Sequence, residues 1–330
     1  MRAKVKILAA GLTVVVALCV GSGFPAAEAG QAMKLATILP ADHPNNLGAM
    51  KFADLVKQKT QGAVTVDVYP ASQLGSERNI TEAVAMGGLD FALAGVSEYA
   101  TRYKPVVIFD GPFVFRSREH MVKTWTSPIG QEIFDGMVKQ IGIRLVSPSY
   151  YGTRHVTTGK VAARTPADLK GLKLRCPDQP MFVAVMKAIG ATPTPMALSE
   201  VYLALQMGVV DGQENPAATI ATMKFNEVQK YLIRTGHITN GVYIWTNDKK
   251  FQTLPAAVQQ AIRDAGKEAA DWTTARTYEM EDKYTADLKA KGMTIIDPDH
   301  DAFQKAAEPL QQVYEGIWGR GLLAKVRAIQ

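Results

Sequence analysis

The sequence predicts an α/β fold with two lobes, and three patterns support this prediction. Residues 33–97 alternate apolar strand segments with helical segments in the order β-α-β-α-β, which is typical of an open α/β sheet. Residues 171–216 have the pattern of a strand–helix–helix–strand crossover. Residues 255–290 form a long helical pattern, which at about 1.5 Å per residue would span roughly 50 Å and cross both lobes, unless it breaks near Asp271.

The first 29 residues have the plan of a secretory signal peptide. Arg2, Lys4 and Lys6 precede the apolar run 7–20, and residues 27–29 (Ala-Glu-Ala) supply the small residues of a cleavage site. The alternative, a membrane anchor, would need about 20 apolar residues. We therefore expect cleavage after residue 29 and export to the periplasm.

The composition argues against nucleic-acid binding, and the motifs argue against catalysis. The formal net charge is +6, without a long block of like charges. GxSxG, HExxH, CxxC and Walker-type motifs are absent, and the five histidines lack metal-ligand spacing. Asp211 and Glu214 could bind calcium or sodium, although structural hydrogen bonding suits strand-end carboxylates better. The one cysteine beyond the leader, Cys176, is predicted in the core. We predict no catalytic residue, metal or cofactor.

Two crossings between the lobes are predicted. A strand at 143–151 leads into Gly152, where glycine can absorb hinge rotation, and a turn is predicted at Asn240-Gly241. These crossings divide the chain into lobe I, residues 30–152 and about 241–280, and lobe II, residues 153–240 and about 281–330.

The crossover at 171–216 is predicted to bring two polar residues together. Its first strand ends at Arg175, and its helices are predicted at Met181–Ile189 and Glu200–Met207. A second strand starts at Val209 and leads to polar residues as far as Asn215. Because strand ends in such units face one crevice, Arg175 and Asn215 are candidates to meet around a ligand.

Arg175 follows apolar sequence and therefore needs an anion. Its planar guanidinium matches a carboxylate through two parallel hydrogen bonds. A ligand carboxylate could supply that anion, and so could Asp178, three residues further on. The residues alone leave both partners open.

The same region carries a family resemblance. The run TPTPMALSEVYLALQMGVVDGQENP resembles the signature of the DctP-like solute-binding subunits of TRAP transporters. YYGTRHVTT, LKGLKLRCP, YPASQLGSE and LDFALA resemble further motifs of that family, in the same order. The resemblance covers nearly all of the chain after the leader. It implies a type II-like periplasmic binding protein with mixed sheets and a long helix spanning both lobes.

The resemblance also implies a mechanism. Arg175 would clamp the ligand's carboxylate, with Arg154 and Asn215 lining the same cleft, and the loaded receptor would deliver its ligand to a TRAP permease. Glu77, Asp178, Phe182 and Trp245 are further candidate ligand contacts, although core packing is the alternative for the two aromatic residues.

The amino-terminal lobe departs from the sialic-acid binders that it resembles. The positions in question are Ile38, Gly95 and Glu98, with Glu77 still acidic, and outside that lobe Leu198 stands where an aromatic residue can occur. A smaller organic acid is therefore expected: a C4-dicarboxylate, an oxo or hydroxy acid, or a uronate. Two other functions stay open, a sensor subunit with the same site and an enzyme using Asp178, Glu214 or His155 as a base. The protein is expected to be a monomer, or a homodimer supported by the long helix.

Overall fold

The computed structural model describes residues 30–330. The predicted signal peptide lies outside these residues. Within them, nine strands form one mixed sheet. The strands are β1 Gln31–Thr37, β2 Val64–Tyr69, β3 Phe91–Ala94, β4 Ile143–Thr158, β5 Lys173–Cys176, β6 Thr192–Pro195, β7 Gly212–Pro216, β8 Tyr231–Asn247 and β9 Thr294–Ile296. Their order is β2-β1-β3-β8-β4-β7-β5-β6, with β9 pairing with β8.

Helices cover both faces of this sheet. They are α1 Pro44–Lys59, α2 Glu77–Ala85, α3 Arg118–Thr126, α4 Pro128–Ile141, α5 Pro180–Ala188, α6 Val201–Gln206, α7 Ala217–Thr222, α8 Asp248–Gln252, α9 Ala256–Ala290, α10 His300–Trp318 and α11 Leu322–Arg327. Side-chain caps set several of the starts; Ser76 and Asn79, for example, form a reciprocal capping box at α2. None of these helices is both long and apolar enough to cross a membrane.

Two long strands connect the halves of the sheet. β1, β2 and β3 are parallel on one side, and β5, β6 and β7 are parallel on the other. Between them β4 and β8 run antiparallel along 16 and 17 residues. Two buried apolar clusters occupy opposite faces, because neighbours such as Leu35 and Ala36 point in opposite directions. Cys176 is fully buried in one of these clusters, as predicted.

The predicted crossing points lie opposite each other in the β4–β8 ladder. Gly152 pairs with Asn240, next to a register shift in β4. Gly152 has φ +138°, and an added Cβ would lie 2.6 Å from Cβ of Pro216, so this position requires glycine. The predicted turn at Asn240-Gly241 is wrong, since both residues lie inside β8.

The long carboxyl-terminal helix α9 is continuous. It runs for 35 residues, so the alternative with a break near Asp271 is wrong. It contacts α1, β4 and α7, and therefore spans elements of both predicted lobes.

The crossover differs from the prediction in its second half. The second strand is present as β7, but its predicted start at Val209 is wrong, because the strand is formed by the polar residues Gly212–Pro216. The helix predicted over Glu200–Met207 is confirmed as α6, Val201–Gln206, and a short 3-10 turn at Leu198–Glu200 precedes it. β7 lies between β4 and β5, so its polar side chains are buried and hydrogen-bond internally, as Gln213 does with Thr157 at 3.0 Å. A hydrophobicity pattern cannot detect such a strand.

Candidate ligand-binding site

A cavity of about 60 Å³ lies where the two halves of the sheet meet. Residues before position 111 line one part of it: Ile38, Leu39, Glu77, Leu93, Gly95, Ser97, Glu98 and Asp110. Residues from the crossover region and β4 line another: Tyr151, Arg154, Arg175, Pro177, Gln179, Phe182, Leu198 and Asn215. The strand β8 contributes Asn240, Gly241 and Val242.

Arg175 is a buried cation without a carboxylate partner. It is 3% exposed, and its Nε and Nη2 donate to the carbonyl oxygen of Met196 at 3.1 and 2.8 Å. Within residues 30–330 it forms no ion pair, and Nη1 makes no hydrogen bond. Burial lowers the pKa of Arg175 to about 10, partly offset by the charge of Glu214. The alternative pairing with Asp178 is wrong, because Asp178 binds Arg78 at 3.0 Å.

Arg154 has a protein carboxylate of its own. Its Nε and Nη2 donate to the two carboxylate oxygens of Glu214 at 2.5 and 2.6 Å. Both side chains are buried, and His237 Nε2 lies 3.2 Å from the same carboxylate. Burial would raise the pKa of Glu214, but the charge of Arg154 and hydrogen bonds from His237 and Arg154 hold it at about 2. The Arg154 guanidinium also lies over the Phe182 ring at 4.9 Å.

Asn215 lies between the two arginines on the neighbouring strand. β7 pairs with β4 on one side and with β5 on the other, with Arg175 opposite Gln213. The Asn215 Oδ1 accepts from Arg154 Nη2 at 3.2 Å, and its Nδ2 donates to Gln213 Oε1 at 2.6 Å. The strand order thus brings Arg154, Arg175 and Asn215 to one cavity, although 61 positions separate Arg154 from Asn215.

Of the four other predicted ligand contacts, two line the cavity and two do not. Glu77 and Phe182 line the cavity. Asp178 lines a neighbouring cavity that shares Arg175 with the first one, and its ion pair with Arg78 connects loop and helix segments 100 positions apart. Trp245 is the exception, and its predicted place at the cleft is wrong. It is fully buried, donates to the Ala94 carbonyl at 3.1 Å and packs against other core aromatic rings, away from the cavity lining.

Three acidic residues share the cavity. Glu77 was a predicted ligand contact, Glu98 was one of the positions expected to restrict the ligand, and Asp110 was not predicted. Glu77 accepts from the Gly95 amide at 2.8 Å, and Asp110 accepts from Ser97 Oγ at 2.6 Å. Glu98 accepts from Gln179 Nε2 across the cleft. Burial raises the pKa of all three carboxyls, and for Glu98 burial and the nearby charge of Glu77 raise it to about 8. Asp110 follows an apolar run, which gave no sign of a binding role.

The raised pKa of Glu98 predicts a pH dependence of stability. The folded protein keeps a proton on Glu98 between about pH 4.5 and pH 8, whereas the unfolded chain has lost it. The contribution of Glu98 to the free energy of unfolding is therefore largest below pH 4.5 and declines towards pH 8. We expect the free energy of unfolding to fall less between pH 5 and pH 8 in the Glu98→Gln variant than in the unsubstituted protein. Urea unfolding without ligand measures this difference.

Glu132→Gln serves as the control, because Glu132 is an exposed glutamate on α4. It should leave the pH profile unchanged. Parallel profiles for Glu98→Gln and the unsubstituted protein would contradict an elevated pKa at Glu98.

The carboxylates considered for a cation have structural partners. Asp211 accepts from the Lys173 amide at 2.8 Å, and Glu214 binds Arg154. Among the described residues, no three His, Cys, Asp or Glu side chains are grouped so as to hold a metal ion.

Comparison with known proteins identifies the family. Residues 35–318 match DctP, described as bacterial extracellular solute-binding protein, family 7. A solute-binding protein of Verminephrobacter eiseniae is 39% identical over 283 residues, covering 84% of this chain and 83% of that protein.

Solved structures agree with this match. A TRAP periplasmic solute-binding protein from Bordetella bronchispeptica, with density assigned to pantoate, has a TM-score of 0.87 and 31% identity, covering 91% of this chain and 99% of that one. One from Polaromonas sp. JS666, bound to D-erythronate, has the same TM-score and coverage and 30% identity. The motifs and the two-lobed α/β fold are thus confirmed, and this chain belongs to the DctP family of bacterial extracellular solute-binding proteins.

Proposed function

We propose that this protein is a receptor that binds one small organic acid in the cavity and places the acid's carboxylate on Arg175. The observation that carries the proposal is the buried Arg175 guanidinium, which has a carbonyl partner and no carboxylate partner within residues 30–330. Burial of an unpaired charge is unfavourable, and a bound carboxylate would compensate it through charge-assisted hydrogen bonds. Asn215 and the Arg154–Glu214 pair would hold the second side of that carboxylate.

The acid we propose is compact. The cavity lining includes Ile38, Gly95 and Leu198, the positions at which the sequence departs from the sialic-acid binders. Pantoate and D-erythronate, named for two of the similar solved structures, are both compact monocarboxylates with hydroxyl groups. Apolar contacts would come from Ile38, Phe182 and Leu198.

We propose that ligand binding closes two lobes with the boundaries predicted above. The hinge would lie at the Gly152–Asn240 pair of β4 and β8. Two contacts then join the lobes over the cavity, Gln179 with Glu98 and Arg78 with Asp178. A ligand that touches both lobes favours closure by its differential affinity for the closed form.

The closed receptor would deliver its acid to a TRAP permease, from the periplasm and after removal of the signal peptide. We propose no catalytic step. The three bases considered for an enzyme are poorly suited: Glu214 and Asp178 are held in ion pairs, and burial lowers the pKa of His155 to about 3.

A thermal-melt screen of the purified protein tests the ligand class. The panel contains hydroxy acids, oxo acids, dicarboxylates, uronates and sialic acid, with neutral sugars as controls. Ligand at about 100 times its Kd adds roughly 2.7 kcal/mol, a shift of several degrees for a protein of this size. Stabilisation by small acids alone is expected. Stabilisation by neutral sugars alone, or by none of the acids in protein freed of carried-over ligand, would overturn the proposal.

A further inference from the structure

The cavity has a second set of polar groups that the carboxylate clamp does not use. We call Glu77, Glu98, Asp110 and Asn240 the acceptor wall. The three acids come from the first 110 residues of the chain, and Asn240 comes from β8, whereas both arginines come from β4 and β5. Arg154 and Arg175, which form the carboxylate clamp, and the residues of the acceptor wall therefore belong to different parts of the fold.

The acceptor wall has oxygens without partners. Asn240 is 4% exposed, its Nδ2 donates to Asp110 Oδ1 at 3.4 Å, and its Oδ1 is buried without a hydrogen-bond donor. Glu77 and Glu98 each use Oε1, with the Gly95 amide and Gln179 respectively. No hydrogen bond from residues 30–330 reaches the Oε2 atom of either. A buried acceptor without a donor is unfavourable, so Asn240 Oδ1 indicates a ligand that donates hydrogen bonds, and the two glutamate Oε2 atoms beside it can accept further hydrogen bonds.

The charges around the cavity also restrict the ligand. Arg154 is neutralised by Glu214, which leaves Arg175 as the cation available for a ligand among the lining residues. The three acids of the acceptor wall lie close enough for the charge of Glu77 to oppose ionisation of Glu98, and that of Asp110 to oppose ionisation of Glu77. The first carboxylate of the ligand would use Arg175, so a second ligand carboxylate would be desolvated in this cavity without a cation to balance it.

We propose that the acceptor wall is a specificity subsite for hydroxyl groups, so that the ligand is a hydroxylated monocarboxylate and dicarboxylates are rejected. The inference rests on the proposed function, since it takes the carboxylate on Arg175 as given. Hydroxyl groups suit the subsite because each can donate to Asn240 Oδ1 or a glutamate Oε2 and can also accept from a protonated carboxyl. A hydrocarbon end would leave the same oxygens without donors.

Four-carbon acids provide a matched test. D-erythronate, butyrate, succinate and tartrate share chain length and differ in hydroxyl groups and in the second carboxylate. We expect isothermal titration calorimetry at pH 7 to find that D-erythronate binds at least about 100-fold more tightly than butyrate and succinate, because sites built for a hydroxyl discriminate strongly against analogues that lack it. Tartrate should also bind weakly, since its hydroxyls do not remove the second charge.

Variants at the subsite make the inference specific. Asn240→Leu removes the buried Oδ1 that has no donor and keeps a similar side-chain volume, so it should weaken D-erythronate binding relative to butyrate by about tenfold. Glu132→Gln, far from the cavity, should leave this ratio unchanged. Succinate or butyrate binding as tightly as D-erythronate would overturn the inference while leaving the receptor proposal intact. Failure of every carboxylate to bind, including the wider panel, would instead reject the carboxylate site itself.

Discussion

Arg175→Met is expected to abolish binding of organic acids while leaving the protein folded. Removing one partner of a buried, hydrogen-bonded charge pair costs about 2–5 kcal/mol, which corresponds to a roughly 30-fold to several-thousand-fold weaker Kd. The unliganded protein should keep its melting temperature or gain slightly. Arg175 is buried without an anion from the described chain, and methionine removes that desolvated charge. Calorimetric titration and thermal melting of the same preparation measure both effects.

Arg164→Met is the matched control, because Arg164 is an exposed arginine shortly before β5. It should change neither affinity nor stability. An Arg175→Met variant that binds acids as tightly as the unsubstituted protein would show that the carboxylate lies elsewhere. A marked loss of stability in the ligand-free variant would show that Arg175 is structural.

Arg154→Met is expected to have the opposite profile, with a large loss of stability. It leaves the fully buried Glu214 without its cation, and breaking a buried ion pair in this way costs about 3–5 kcal/mol. At about 2–4 °C per kcal/mol, the melting temperature should fall by roughly 6 °C or more. Replacing both partners, with Arg154→Met and Glu214→Leu together, should recover much of that loss, because no uncompensated charge then remains.

The pH dependence offers a second measurement on this ion pair. The pKa of Glu214 is held at about 2 in the folded protein, below the ordinary value of 4.5. Its stabilising contribution is therefore present above about pH 4.5 and is lost as the pH falls towards 2.

Arg144→Met is the control for Arg154→Met, since Arg144 also lies on β4 and pairs with Asp248 at 2.6 Å but remains partly exposed. If Arg144→Met and Arg154→Met lowered the melting temperature equally, the buried ion pair would stabilise the fold no more than the partly exposed one.

Much of the cavity's cationic side could be predicted from the sequence. Arg154, Arg175 and Asn215 lie in recognisable motifs, and the strand–helix–helix–strand pattern indicated that Arg175 and Asn215 would approach each other. Their packing around one cavity agrees with that expectation. Hydrophobicity patterns gave wrong strand boundaries where polar residues are buried and an apolar residue is exposed. β7 is a fully buried strand made of polar residues, whereas Val209, taken as part of that strand, is half exposed.

The sequence by itself determined the α/β class, the long helix α9 and the solute-binding family, and it indicated three residues, Arg154, Arg175 and Asn215, that line one cavity. These follow from periodicity and motifs, which are local properties of the chain. Only the tertiary structure decided that Arg154 pairs with Glu214, that Arg175 has no carboxylate partner within residues 30–330, and which residues line the cavity. Asp178 is three positions from Arg175 but pairs with Arg78, while Glu214 reaches Arg154 from 60 positions away. Asp110 and Asn240 are 130 positions apart yet share the acceptor wall. These ion pairs and contacts depend on strand order and long-range packing, so they cannot be predicted from the spacing of the residues along the chain.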